Sequence, residues 1–78
     1  MTDASKTLRF GIIGCGLRGR LYGQILKRLH GVEIAALFDV SGPTASSLSA
    51  ELGVPVAASL TELMARELDA VIVATPDF

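Results

Sequence analysis

A chain of 78 residues holds at most one small domain, and at 50% hydrophobic and 19% charged residues, with mean hydropathy +0.51, it is too apolar to be solvated on every side. The expectation is part of a larger protein, or a chain that buries its excess apolar surface against copies of itself. A net charge of −1 excludes a global attraction to nucleic acid or to an anionic membrane, and a single cysteine, Cys15, excludes an internal disulfide and fits a reducing compartment.

Residues 1–7 read as a disordered polar lead-in. Charge is segregated: residues 1–30 carry six basic residues against Asp3, and the remainder carries Arg66 against seven acidic residues. The basic first third is either a polyanion site or a solvated helix face, and its helical spacing favours the solvated face. The apolar run Phe10 to Ile13 before Gly14-Cys15 is far shorter than the apolar region of a signal peptide, and Arg18 closes it too early for a membrane span. The expected location is the cytoplasm.

Leu8-Arg9-Phe10-Gly11-Ile12-Ile13 is a short β-branched run that ends at glycines and reads as a buried strand. From Arg18 to His30 the spacing predicts an amphipathic helix with Leu21, Ile25 and Leu29 on its core face, Arg20, Gln24, Lys27 and Arg28 opposite, and Gly31 as its stop. Glu33 to Phe38 is the second strand, ended by Asp39. Ser41-Gly42-Pro43 opens a second helix through Leu48 and Leu52 to Gly53. Val54-Pro55-Val56-Ala57 reads as a short third strand, at an edge because of its proline. Ser59-Leu60-Thr61-Glu62 is a capping-box pattern with Leu60, Leu63, Met64 and Leu68 behind it, and Asp69 to Ala74 is a fourth strand of the fully buried kind. Strands separated by helices pair in parallel through right-handed crossovers. The predicted fold is therefore α/β, βαβαβαβ with strand order 3-2-1-4, the first part of a Rossmann-type domain over residues 8–78.

Gly14-Cys15-Gly16-Leu17-Arg18-Gly19 is a G-x-G-x-x-G motif that follows a strand, opens a helix and has an acidic residue at the end of the next strand about twenty residues on. Gly14 permits the tight turn, Gly16 lets the backbone approach a pyrophosphate, and Gly19 lets the helix pack closely on the sheet. The unpaired N–H groups at the helix start then face the phosphates. Asp39, with Val40 beside it, is placed to accept hydrogen bonds from the adenosine ribose hydroxyls. A 2′-phosphate there would meet like charge, at about 4 kcal/mol per unit-charge pair a few ångströms apart in an intermediate dielectric, so NAD is expected over NADP. Ala74, Thr75 and Pro76 leave the fourth strand where the middle of the cofactor would pass. Arg18 either reaches the pyrophosphate or stays solvated. Cys15, at a helix N-terminus, is either an inert thiol or one with a lowered pKa. The candidate cofactor set is Gly14, Cys15, Gly16, Leu17, Arg18, Gly19, Asp39, Val40, Ala74, Thr75 and Pro76. No catalytic residue and no metal ligand is assigned.

Phe10-Gly11-Ile12-Ile13-Gly14-Cys15-Gly16, Phe38-Asp39-Val40, Glu51-Leu52-Gly53-Val54-Pro55 and Asp69-Ala70-Val71-Ile72-Val73-Ala74-Thr75-Pro76 together resemble the N-terminal domain of the glucose–fructose oxidoreductase/inositol dehydrogenase (Gfo/Idh/MocA) family. The resemblance runs from Leu8 to Asp77, and Ala74-Thr75-Pro76 followed by an Asp is its most specific piece. It implies an NAD(P)-dependent oxidoreductase that moves a hydride between nicotinamide and a carbinol carbon of a sugar, cyclitol or polyol. It also implies that Ala74-Thr75-Pro76 lines the cofactor, and that the catalytic Glu-Lys-Pro motif, the substrate domain and the surfaces of homo-oligomer assembly lie outside this sequence. The alternative is a non-catalytic dinucleotide-binding module with a regulatory or redox-sensing role.

Overall fold

A computed structural model of the chain describes residues 7–75, so residues 1–6 of the expected lead-in, and Pro76 of the candidate site, lie outside the described residues. The elements are β1 (Leu8–Ile13), α1 (Leu17–Lys27), β2 (Val32–Phe38), α2 (Gly42–Leu52), α3 (Leu60–Ala65) and β3 (Ala70–Val73). The three strands form a parallel sheet in the order β2-β1-β3. Leu8 pairs with Val32 and Ile13 with Phe38, with one register shift between Phe10 and Gly11, while Phe10 to Ile13 run beside Ala70 to Val73.

The expected third strand is reduced to one bridge, Val56 to Leu37, on the outer edge of β2. Leu37 N donates to Pro55 O at 3.0 Å and Ala57 N to Leu37 O at 2.8 Å. Pro55 has no N–H to extend the ladder, so pairing ends there. With this segment counted, the order 3-2-1-4 holds.

Alternation along the strands, with the extra residue Ala35 at the register shift bringing Ile34 and Leu37 to one face of β2, divides the core in two. Ile12, Ile34 and Leu37 face α1 and α2, packing with Leu26, Ala45, Leu48 and Leu52. Ala36 faces α3 and packs with Ala57 and Leu63, with Ile13, Phe38 and Leu68 around them.

The face of α1 that meets the sheet differs from the expected one. Its buried residues are Gly19, Gly23 and Leu26, while Leu21, Ile25 and Leu29 are about half exposed. Two glycines one turn apart let the helix axis approach closely: a Cβ at Gly23 would lie 2.6 Å from Leu52 Cδ1. The expected polar side instead meets α2, where Arg20 Nε and Gln24 Nε2 donate to the two carboxylate oxygens of Glu51 at 2.8 and 2.6 Å. Those bonds, Gln24's first, hold the Glu51 carboxyl below its ordinary range. This ion pair joins the basic and acidic parts of the chain, as does Arg9 with Glu33.

The last two helices follow their capping signals. Ser41 Oγ accepts from Thr44 N, with Pro43 in the first turn, and Gly53 closes α2 in the left-handed region at φ 70°. Ser59 Oγ accepts from Glu62 N at 3.0 Å. β3 is an edge strand rather than a fully buried one, with Val73 66% exposed.

Candidate functional site at the carboxyl end of the sheet

Three chain segments meet where β1, β2 and β3 end. The first is the turn from β1 into α1. Gly14 takes φ +94°, which a side chain would strain, and donates its N–H to Phe38 O at 2.8 Å. A Cβ on Gly14 would stand 2.8 Å from Thr75 N and 2.9 Å from Ala74 C. The turn is therefore in backbone contact with both neighbouring strand ends. A Cβ on Gly19 would run into the Gly14 carbonyl oxygen, so only glycine lets the first turn of α1 sit this close to β1.

Gly16 is different in kind, since nothing lies within 4 Å of the position its Cβ would take. It is the N-cap of α1, offers no side-chain cap, and no acidic residue occupies the first turn. The first N–H groups of a helix have no intrahelical acceptor. At α2 and α3 a serine hydroxyl meets this need; at α1 the donors open onto the space beside Gly16. That geometry fits an anion. Leu17 and Val40 flank the mouth, 83% and 95% exposed. Arg18 is also exposed and, among the described residues, forms no ion pair.

Asp39 is the second segment. Its Oδ2 accepts from Cys15 N and its Oδ1 from Ser41 N, each at 2.7 Å. Each oxygen keeps acceptor capacity toward a ligand. Ser41 escaped the sequence reading as a site residue. Its signal was present in Asp39-x-Ser41, the spacing at which an aspartate bonds the main chain two residues on.

Cys15 lies beneath the turn, 5% exposed, with Sγ donating to Phe38 O at 3.6 Å. Burial and, next, the Asp39 carboxylate push its thiol up from 9.0 to about 11, against the smaller opposing effect of the Phe38 carbonyl bond. The possibility of a lowered thiol pKa is thereby corrected: the side chain sits behind the helix start, on the carboxylate side. The third segment is the exit of β3, where Ala74 is 8% exposed and Thr75 is exposed. Ala74 N donates to Ile13 O at 2.8 Å, which ties this exit to β1.

Among the described residues no three His, Cys, Asp or Glu side chains converge as for a metal ion, and no helix is long and apolar enough to cross a membrane.

Residues 8–78 match the model of an oxidoreductase family with an NAD-binding Rossmann fold, Gfo/Idh/MocA. The chain is similar to inositol 2-dehydrogenase from Arthrobacter sp., at 39% identity over 95% of this chain and 23% of that protein. It is similar also to 2,7-anhydro-N-acetylneuraminate hydratase from Mediterraneibacter gnavus, at 36% identity over 94% of this chain and 19% of that protein. Among solved structures, myo-inositol dehydrogenase from Lactobacillus casei in complex with NAD(H) and myo-inositol superimposes with a TM-score of 0.81. Its identity is 27%, over 88% of this chain and 22% of that one. The chain spans 19% to 25% of the length of the curated relatives it matches.

Proposed function

Since the chain belongs to the Gfo/Idh/MocA oxidoreductase family with an NAD-binding Rossmann fold, we propose that it binds the ADP portion of NAD at the carboxyl end of its sheet. The observation that carries this reading is the uncapped start of α1 behind an open Gly16, with the Asp39 carboxylate at its side. Main-chain N–H groups from Gly16 onward would hold the pyrophosphate. The acceptor capacity left on Asp39 would take the two ribose hydroxyls, and its charge disfavours a 2′-phosphate, so NAD is preferred over NADP. Ala74, Thr75 and Pro76 would border the middle of the cofactor, with Leu17, Val40 and Arg18 at the rim.

The nicotinamide, when bound, supplies hydride transfer. The described residues of this chain would hold the ADP portion, and no acid or base toward the substrate is assigned among them. We assign residues 8–78 to part of a dinucleotide-binding domain, whose whole protein oxidises or reduces a carbinol carbon of a sugar, cyclitol or related polyol. The inositol dehydrogenases among its relatives support that substrate class. We further place the whole protein among homo-oligomers. Calorimetric titration of the purified chain with NAD and NADP tests the binding reading: saturable NAD binding tighter than NADP is expected. Absence of binding by either cofactor overturns it.

A further inference from the structure

We propose that Asp39 is a positioning residue for the phosphate turn as well as a ribose acceptor, so that ribose and pyrophosphate are recognised by one linked unit; this rests on the dinucleotide reading above. The Cys15 N–H belongs to a residue that is 5% exposed, and its partner is Asp39 Oδ2 at 2.7 Å. A buried main-chain donor without a partner is costly, and a bond to an ionised acceptor is among the stronger kinds.

The neighbouring bonds leave the turn little freedom. Gly14 N is held by Phe38 O, and the Gly14 backbone abuts Ala74 and Thr75. Ser41 N holds the other carboxylate oxygen from the α2 side. The carboxylate thus bridges the start of α2 to the turn that aims the donors of α1. An ionised carboxylate offers roughly four acceptor sites, and the two main-chain bonds leave one on each oxygen. Those two match the two hydroxyls of a ribose.

A consequence for specificity follows. Replacing Asp39 with a small neutral residue removes the repulsion toward a 2′-phosphate, and also removes the bridge that shapes the phosphate turn. Affinity for NADP is then not gained in proportion, and affinity falls for ligands that never touch Asp39.

Inorganic pyrophosphate is such a ligand. Its binding to wild-type chain, Asp39→Ala and Asp39→Asn can be followed by the amide resonances of Gly16 and Leu17, alongside calorimetry with NAD. Asp39→Ala is expected to weaken pyrophosphate binding at least about tenfold, corresponding to one hydrogen bond to a charged acceptor. The Cys15 amide resonance should move upfield and exchange faster with solvent. Asp39→Asn keeps the size of the side chain and one acceptor oxygen, and should lose less; it also serves if the alanine variant does not fold. Pyrophosphate affinity unchanged in either folded variant while NAD affinity falls would overturn the proposal, because Asp39 would then act on the ribose alone. Wild-type chain that binds NAD but not pyrophosphate would overturn it too. Wild-type chain that binds neither would instead refute the dinucleotide reading.

Discussion

At the scale of single residues, the glycines of the turn separate into those that shape it and one that leaves room. Gly14 and Gly19 are in contact with backbone, and a Cβ at either would displace the turn. Gly16 borders open space, so Gly16→Val should fold with unchanged circular dichroism while NAD affinity falls by at least about a hundredfold, the effect of a branched side chain where phosphate must meet main-chain N–H groups. Normal NAD binding by that variant would mean that the phosphates do not sit on this turn. Cys15 gives a second prediction. Its thiol is held up at about 11 in the folded chain against 9.0 ordinarily, so the folded state retains a proton that the unfolded chain releases earlier. Stability linked to this group is fully present below about pH 9 and is lost as pH rises toward about 11. Urea midpoints of wild type and Cys15→Ala, compared across that range, should converge as pH rises. Parallel curves would show that the thiol does not ionise differently on unfolding. The identity of this residue left its state undecided in the sequence, since a helix N-terminus lowers a thiol pKa. Depth beneath the turn and the facing carboxylate decide it.

At the scale of elements, α3 is the weakest attachment. It has six residues and buries only Leu63, which is fully enclosed among Ala36, Ala57 and its neighbours. Leu63→Ala should cost about 2–5 kcal/mol by loss of burial and the cavity left behind. Hydrogen exchange should show protection lost from Leu60 to Arg66 before it is lost from β1 and β2; uniform loss would make α3 an equal partner in one cooperative core. Most elements were legible because their signals are local: serine caps before α2 and α3, Gly53 after α2, and β-branched runs in the strands. The orientation of α1 was not. Leu21, Ile25 and Leu29 recur at helical spacing and read as a core stripe, yet the sheet receives Gly19, Gly23 and Leu26. Glycine carries no hydrophobic signal, so a helix seated by close backbone approach hides its buried face from any pattern of apolar residues. The third strand is at the expected edge but shortened to one bridge: its composition is strand-like, but Pro55 lacks the donor that would continue pairing. Of the site, the glycine turn, Asp39 and the Ala74-Thr75 exit are brought together as their order along the chain required. The bond from Cys15 to Asp39 needed coordinates, because it joins residues 24 apart.

At the scale of the whole molecule, the excess of apolar residues has a location. Leu17, Leu21 and Ile25 lie four apart along α1, with Tyr22 beside them and Leu29 just past its end, and all are at least 39% exposed. On the wheel of α1 this stripe lies opposite Gly19, Gly23 and Leu26, the residues that the helix buries. β3 adds an edge strand with Val73 exposed and its outer N–H and C=O groups unpaired by any described strand. An open apolar edge invites pairing with another chain, and the stripe adds the nonpolar area that makes such pairing favourable, at about 25 cal/mol per Å². Against that stands a margin of folding stability of only about 0.05–0.15 kcal/mol per residue, small for a domain of this size. The 78-residue chain is therefore expected to self-associate at micromolar concentration. Sedimentation velocity over a hundredfold range of concentration should show the sedimentation coefficient rising, and Leu21→Lys with Ile25→Glu should reduce that rise while helical content is kept, because both side chains lie on the exposed side of α1. A single monomeric species throughout, with one cooperative thermal transition, would show that neither the stripe nor the edge of β3 drives association.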